Sequence, residues 1–204
     1  MKLLYAPGAC SLGIHVLLED IGKPYETEAV NLREGAQFKP EFTAVNAKSK
    51  VPTVVRDDGS VLTEFPAIAY WLARTNPAQK LLPDGFEEQT RVLEALDYVV
   101  ATVHMQGFSR LFRPSAYSPT SSDEDAVKAR GKEIVEKGFA LLDKQLAGKQ
   151  YVAGGYSIAD AALFYVEFWA GRVGLTLPPN LAAHLERMKS RPAVQKALAA
   201  EGLA

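Results

Sequence analysis

The chain has very little cysteine and no excess of charge of either sign. Cys10 is the single cysteine among 204 residues, which excludes an internal disulfide framework and a cysteine-rich metal site, so we expect no bound metal. The 23 Lys and Arg residues face 24 Asp and Glu residues, with no block of like charge. This balance argues against a nucleic-acid or anionic-membrane partner held by bulk electrostatics.

Long apolar runs are missing as well. The sequence contains no run of about eighteen consecutive apolar residues, the minimum for a transmembrane helix. The opening Met-Lys-Leu-Leu-Tyr meets Pro7-Gly8 too soon for the apolar core of a secretory signal. We therefore expect a cytoplasmic protein.

Two kinds of sequence pattern meet near residue 80. Before it, short strand-like runs alternate with helical ones in the order βαβ and then ββα; Glu26 to Leu32 alternates as a strand would, and Asp57-Asp58-Gly59-Ser60 is a strong hairpin signal. After a linker at 76–85, every pattern is helical, including a long helix that ends near Phe112 and a capping box at Ser157-Ile158-Ala159-Asp160. This order predicts a small mixed-sheet domain followed by an all-helical one.

Cys10 lies where the first strand gives way to the first helix. Backbone N–H groups and the positive end of the helix dipole meet there, and both stabilise a thiolate. A cysteine so placed can have a pKa well below the usual value of about 8.5. The alternative is that Cys10 is a small buried apolar residue, which is the commoner fate of a free cysteine.

Proline precedes a strand in Val51-Pro52-Thr53. Proline cannot donate to a strand ladder, and a cis turn here would leave the backbone groups of Val51 free to pair with an extended, peptide-like ligand. The alternative is an ordinary edge-strand proline, and this segment alone favours that alternative.

Taken together, the sequence resembles the cytosolic glutathione transferases over its whole length, and the bacterial cysteine-containing (beta) class best. The order and spacing of eight segments carry this resemblance: Met1-Lys2-Leu3-Leu4-Tyr5 through Pro7-Gly8-Ala9-Cys10-Ser11-Leu12, Ala44-Val45-Asn46 to Val51-Pro52, Leu62-Thr63-Glu64, Leu96-Asp97-Tyr98 through Val103-His104, Leu111-Phe112-Arg113-Pro114, Tyr156-Ser157-Ile158-Ala159-Asp160-Ala161, Arg191-Pro192-Ala193-Val194 and Glu201-Gly202-Leu203.

The resemblance implies an α/β domain with a thioredoxin-like fold at 1–80, an all-helical domain at 86–204 that lines the electrophile pocket, and a homodimer. It implies that glutathione is the co-substrate and a small hydrophobic electrophile the second substrate. By the same resemblance, the backbone of Val51 pairs with the cysteinyl unit of glutathione, Pro52 is cis, and Glu64 meets the α-ammonium group. Cys10 would lie beside the glutathione sulfur, and His104 would line the same pocket.

Three positions depart from the family pattern. Phe65 stands where the family usually has a serine or glycine, so only its backbone N–H is expected to meet the γ-glutamyl carboxylate. Asp97 replaces an asparagine that typically reaches the glutathione of the other subunit, and Arg33 is the nearest match to an expected basic residue. We therefore expect glutathione binding to be weaker than usual or differently arranged.

Three groups compete for activation of the glutathione thiol: Tyr5, Cys10 and Ser11. A thiol is a poorer hydrogen-bond donor than a hydroxyl, so we assign Cys10 to thiol–disulfide exchange or peroxidase chemistry and expect conjugation to depend on Ser11, His104 and backbone dipoles. Thr102 completes the candidate substrate-binding residues. The predicted function is a glutathione transferase active in detoxification; the alternatives are a ligand-binding protein with little turnover and a glutathione-dependent dehalogenase.

Overall fold

A computed structural model describes residues 1–118 and 120–204. Its contacts divide the chain into two compact units, Met1–Leu81 together with Lys189–Ala204, and Leu82–Met188. The C-terminal segment thus lies with the first unit, whereas the sequence-based division into domains 1–80 and 86–204 stays a prediction. None of the helices in the described ranges is long and apolar enough to cross a membrane.

A four-stranded mixed sheet forms the centre of the first unit. Its strands are β1 (Lys2–Tyr5), β2 (Glu26–Ala29), β3 (Thr53–Val55) and β4 (Val61–Thr63), in the order β2-β1-β3-β4. The β1 and β2 strands are parallel, and the other two pairs are antiparallel. Helices α1 (Ser11–Ile21), the short α2 (Pro40–Thr43) and α3 (Phe65–Thr75) connect or follow the strands. This is the predicted βαβ then ββα order of a thioredoxin-like domain.

Strand β2 is shorter than predicted. It ends at Ala29 because the Asn31 side chain accepts hydrogen bonds from the backbone N–H groups of Arg33 and Glu34, at 3.2 and 3.3 Å. Asparagine side chains compete in this way with strand ladders. The result is a 3₁₀ turn at Leu32–Glu34, so the prediction of a strand continuing to Leu32 is wrong at its end.

Helix α1 is buried on nearly all sides, since every residue from Ser11 to Leu18 is buried. A helix covered all round needs neighbours on more than one face. Helices α3 and α9 (Pro192–Ala200) supply them, and Arg191 Nη2 lies 2.8 Å from the Asp20 carboxylate of α1. The C-terminal segment is therefore part of the core of the first unit.

The second unit is helical, as predicted. Its helices are α4 (Phe86–Asp97), a π-helical segment (Tyr98–Phe108), α5 (Ser109–Phe112), α6 (Glu124–Leu146), α7 (Ile158–Arg172) and α8 (Pro179–Lys189). The first three follow one another without a break, so the long helix does end at Phe112, but its middle part is wider than an α-helix. Such widening is uncommon and is found frequently at functional sites.

Two glycines of α6 allow the π segment to lie close to it. A Cβ atom on Gly138 would lie 2.7 Å from Cγ2 of Val103, and one on Gly131 would lie 2.9 Å from the carbonyl oxygen of Gly107. Both distances are too short for a real side chain. The Val103 side chain and the Gly107 backbone of the π segment therefore pack directly against α6.

Candidate active site

The loop between β1 and α1 places Cys10 directly before the first helical residue. Among the described residues, no side chain caps the start of α1. The Cys10 thiol instead donates a hydrogen bond to the carbonyl oxygen of Val51, with 3.4 Å between Sγ and O. The Val51–Pro52 peptide bond is cis, as predicted. Two residues that lie 41 positions apart in the sequence thus meet at one end of the sheet.

The protonation of Cys10 is the reverse of what its position in the sequence suggests. Burial raises the pKa of the thiol to about 12, although the backbone N–H groups of Cys10 and Ser11 act to lower it. The charges of Glu64 and Lys50 make smaller, opposing contributions. Of the two alternatives for Cys10, the structure therefore favours the ordinary buried thiol over the lowered pKa, because desolvation outweighs the helix terminus.

Glu64 immediately precedes α3 and has an unusual backbone conformation. Its φ of 71° lies in the left-handed region that residues other than glycine rarely adopt, and such conformations cluster at binding sites. Its carboxylate lies 2.8 Å from Nζ of Lys48, which also donates to the Thr63 hydroxyl at 2.9 Å. The half-exposed carboxylate is thus held by a lysine, and the buried Phe65 follows it in the first turn of α3.

Ser11 and Tyr5 face the interior of the first unit. The Ser11 hydroxyl is fully buried, donates to the Ala6 carbonyl at 3.3 Å and lies 3.2 Å from the Ala6 nitrogen. The single proton of this hydroxyl is therefore used in the bond to Ala6, and the Ala6 N–H donates back to the same oxygen. These two bonds indicate that Ser11 holds the loop before Cys10. Tyr5 packs against His15 with ring centroids 5.4 Å apart, and its pKa is raised by burial and then by the charge of Glu201.

The residue that links this interior cluster to the Cys10 loop is Glu201, which our sequence analysis did not single out. Its buried carboxylate lies 2.9 Å from Nδ1 of His15 and accepts a hydrogen bond of 2.7 Å from the Gly8 N–H. Gly8 has a φ of 66° and stands two residues before Cys10. The only available signal was the position of Glu201 inside one of the segments that carry the family resemblance.

The remaining candidates of the first unit and of α4 lie at the surface. Arg33 is exposed on the 3₁₀ turn, and its guanidinium has no hydrogen bond within the described part of the chain. Asp97 is the exposed last residue of α4.

The second unit holds His104 and Thr102 in the π segment, both half-buried. Nδ1 of His104 is hydrogen-bonded to the Tyr165 hydroxyl at 3.2 Å, and its ring meets Trp169 edge-on with centroids 4.8 Å apart. Phe112 also packs edge-on against Trp169, at 5.2 Å, and remains 45% exposed. His104 is therefore oriented by an aromatic cluster whose outer member, Phe112, is accessible.

Comparisons with known proteins match both parts of the chain to one family. A family model described as "Glutathione S-transferase, N-terminal domain" matches residues 8–75, and one described as "Glutathione S-transferase, C-terminal domain" matches residues 125–187. The chain is 38% identical to Glutathione S-transferase GstA of Escherichia coli O157:H7 over 211 aligned residues, which cover 100% of both chains.

Solved structures are also similar over 100% of both chains, and two of them illustrate this. One is the beta class glutathione S-transferase of Sphingomonas chungbukensis, with a TM-score of 0.88 and 37% identity. The other is a sphingomonad glutathione S-transferase complexed with glutathione, with a TM-score of 0.87 and 38% identity.

Proposed function

Because the chain belongs to the glutathione S-transferase family, a family of enzymes, we propose that it binds glutathione at the Cys10 end of the first unit and joins it to small hydrophobic electrophiles. The glutathione sulfur forms a bond to an electrophilic carbon, the leaving group departs with its electron pair, and the thiol proton passes to water. The names of the relatives favour this reaction over the two alternatives, ligand binding without turnover and dehalogenation.

The observation that carries this proposal is the uncapped start of α1. The backbone N–H groups of Cys10 and Ser11 act on Cys10 Sγ in the direction that favours a negative sulfur. A glutathione sulfur bound beside Cys10 would meet the same N–H groups and the positive end of an eleven-residue helix. Fixed dipoles of this kind stabilise developing charge without reorganising.

The roles of the surrounding residues follow from their positions. We propose that the Val51 backbone pairs with the cysteinyl unit of glutathione beside cis Pro52, that Glu64 meets the α-ammonium group, and that the Phe65 N–H meets the γ-glutamyl carboxylate. The Lys48 ammonium that holds Glu64 supplies positive charge near these carboxylates, a role for which the sequence offered Arg33 as the nearest basic residue. Arg33 keeps at most a peripheral part in binding.

Activation of the glutathione thiol is assigned chiefly to the helix terminus. Ser11 and Tyr5 are buried and engaged elsewhere, so we give them structural roles. Cys10 is protonated at neutral pH and serves as a neighbour of the glutathione sulfur; its exchange chemistry is secondary. His104 and Thr102 are proposed to line the electrophile pocket.

We further propose a cytoplasmic homodimer with a role in detoxification. In this arrangement, the sequence domains 1–80 and 86–204 bind glutathione and the electrophile respectively, and Asp97 contacts the glutathione of the other subunit. Sedimentation of the protein tests the homodimer.

Thermal melts with glutathione and with S-hexylglutathione test the binding step. A ligand present at about a hundred times its dissociation constant adds about 2.7 kcal/mol to the free energy of unfolding. Glu64→Gln should reduce the shift, whereas Glu41→Gln, an exposed glutamate of α2, should not. No shift with either ligand would overturn the proposal, and assays with a chlorinated nitroaromatic then test transfer.

A further inference from the structure

Asn46 is a buried asparagine in the loop between α2 and β3. Its Oδ1 accepts a hydrogen bond of 3.0 Å from the Lys48 N–H. Its Nδ2 donates to the Lys50 carbonyl at 2.9 Å and to the Thr53 hydroxyl at 2.8 Å. Both ends of the amide are therefore engaged. Within the loop, Ser49 has a φ of 55°, which is uncommon for a residue other than glycine, so these bonds hold the turn in a conformation that it would rarely adopt alone.

The Lys50 carbonyl is held from two sides. It accepts the Asn46 amide and the Thr53 hydroxyl, each at 2.9 Å, which uses both of its lone pairs. The next carbonyl along the chain, that of Val51, accepts the Cys10 thiol instead. The two carbonyls belong to consecutive rigid peptide planes. Anchoring the first therefore restricts the direction in which the second points.

The same amide also helps to place a charge. Lys48, whose N–H donates to Asn46, has its ammonium 2.8 Å from the Glu64 carboxylate. Thr53, the other side-chain partner of Asn46, lies on β3 beside β4, the strand that leads to Glu64. The Asn46 side chain thus connects the Val51 carbonyl with the lysine that holds Glu64.

We infer that Asn46 is a positioning residue of the glutathione site. It holds the Val51 carbonyl towards the Cys10 end, where the cysteinyl unit of glutathione pairs with it, and it keeps Lys48 and Glu64 in place for the α-ammonium group. The inference rests on the proposed function, because it assigns Asn46 to the same site. Since Asn46 acts through Val51 and Lys48, it affects the affinity for glutathione more than the chemical step.

Steady-state kinetics with varied glutathione and a chlorinated nitroaromatic test this role in Asn46→Ala. We expect KM for glutathione to rise at least about tenfold while kcat stays within about threefold, because the N–H groups at the start of α1 are unchanged. Asn31→Ala is the matched control. Asn31 is an exposed asparagine whose Oδ1 holds a similar turn at Arg33 and Glu34, and its loss should leave KM for glutathione at the parental value.

The Thr53 hydroxyl allows a second test that leaves the asparagine in place. Thr53→Val keeps nearly the same shape but removes one donor to the Lys50 carbonyl and one acceptor for Asn46, so KM for glutathione should rise about threefold or more. Thr53→Ser retains the hydroxyl and should restore the parental KM. A threonine that only stabilised the fold would lower the melting temperature in Thr53→Val and leave KM unchanged.

Cys10 is the single cysteine, so its alkylation by iodoacetamide reports on the Val51 carbonyl in the absence of glutathione. A hydrogen bond donated by a thiol favours its neutral form. If Asn46→Ala lets the Val51 carbonyl turn away, alkylation should be at least about threefold faster than in Asn31→Ala. Mass spectrometry measures the rate, and equal rates in the two variants would contradict the role assigned to Asn46.

A parental KM for glutathione in folded Asn46→Ala would overturn the inference. If Asn46→Ala does not fold, a parental KM in Thr53→Val would overturn it in the same way. Both results require a parent protein that is active with glutathione, and they leave the proposed function intact. A parent protein that binds no glutathione would overturn the proposed function and this inference together.

Discussion

Helices α1 and α7 begin in opposite ways. At the start of α7, Ser157 accepts the N–H of Ala159 at 3.3 Å, and Asp160 accepts the N–H of Ser157 at 2.9 Å, which completes the predicted capping box. At the start of α1, Cys10 occupies the cap position, and no described side chain bonds to the helix N–H groups. A capped terminus stabilises the fold, whereas an uncapped one leaves donors for a ligand.

The two termini also differ in what surrounds them. Asp160 is fully buried, accepts the Val152 N–H at 2.8 Å and lies 3.2 Å from Nε2 of His184. Nδ1 of His184 lies 2.9 Å from the Glu167 carboxylate. The Cys10 thiol donates to the Val51 carbonyl and meets the backbone N–H groups of Cys10 and Ser11. The comparison predicts that changes at α7 affect stability and that changes at α1 affect chemistry.

The largest expected effect is that of Asp160→Ala on stability. It removes the capping box and leaves Nε2 of His184 and the Val152 N–H without their buried acceptor, so we expect a loss of about 3–5 kcal/mol. Urea denaturation measures it. Asp123→Ala is the control: Asp123 precedes α6 but caps none of its N–H groups, so its loss should be much smaller. A change in the Michaelis constant for glutathione in the folded Asp160→Ala protein would contradict the separation of roles.

The second prediction concerns pH and the same cluster. Burial acts to lower the pKa of His184, but hydrogen bonds to Asp160 and Glu167 outweigh it and raise the pKa from 6.5 to about 9. Protonated His184 therefore makes its full contribution to the free energy of unfolding below pH 6.5, and this contribution is lost as the pH rises to 9. The loss is at most about 3 kcal/mol.

Burial also raises the pKa of Glu167 above its usual value of 4.5. Ionisation of Glu167 as the pH rises therefore lowers stability, as the deprotonation of His184 does. Thermal melts from pH 6 to 9 should show falling stability, with a flatter profile in His184→Gln. An equally steep profile in that variant would place the titrating group elsewhere.

Removal of Glu201 should affect both stability and chemistry in the first unit. Glu201→Ala removes the carboxylate that the buried Gly8 N–H and His15 Nδ1 contact, which we expect to cost about 1–3 kcal/mol. Because Gly8 leads to Cys10, kcat/KM for conjugation should fall as well. Glu201→Gln retains an acceptor for Gly8 and should lose less of both. If Glu201→Ala keeps parental kcat/KM, the loop before Cys10 does not need this carboxylate.

The smallest expected effect is that of Cys10→Ala on conjugation, because the backbone N–H groups remain; kcat/KM should stay within about threefold. The reaction of the Cys10 thiolate with oxidised glutathione, which forms a mixed disulfide and releases one glutathione thiolate, should accelerate about tenfold per pH unit between pH 7 and 9. Mass spectrometry follows it. A rate that is constant above pH 7 would show that the helix terminus outweighs burial after all.

The sequence predicted the elements whose causes are local. The hairpin turn at Asp57 to Ser60, the capping box at Ser157 and the position of Cys10 before α1 all follow from short-range chemistry, and the structure has each of them. The protonation of Cys10 could not be predicted, because desolvation depends on the chain that packs around it.

The other missed features depend on contacts between distant segments. The π segment is widened where Gly131 and Gly138 of α6 approach it closely. Glu201 is 186 residues from its partner His15, and no local pattern marks such a pair. For the same reason, the sequence predicted the capping box at Asp160 but not the buried contacts of Asp160 and Glu167 with His184.

The packing of α9 against α1 has a consequence for biosynthesis. The ribosome makes β1, α1 and the Cys10 loop first, but the carboxylate that holds Gly8 and His15 comes from Glu201. Domains generally fold as they emerge, the N-terminal one first, yet here the first unit lacks part of its interior until Glu201 has been translated. Its Cys10 loop can therefore be completed only after the whole helical unit, Leu82–Met188, has been synthesised.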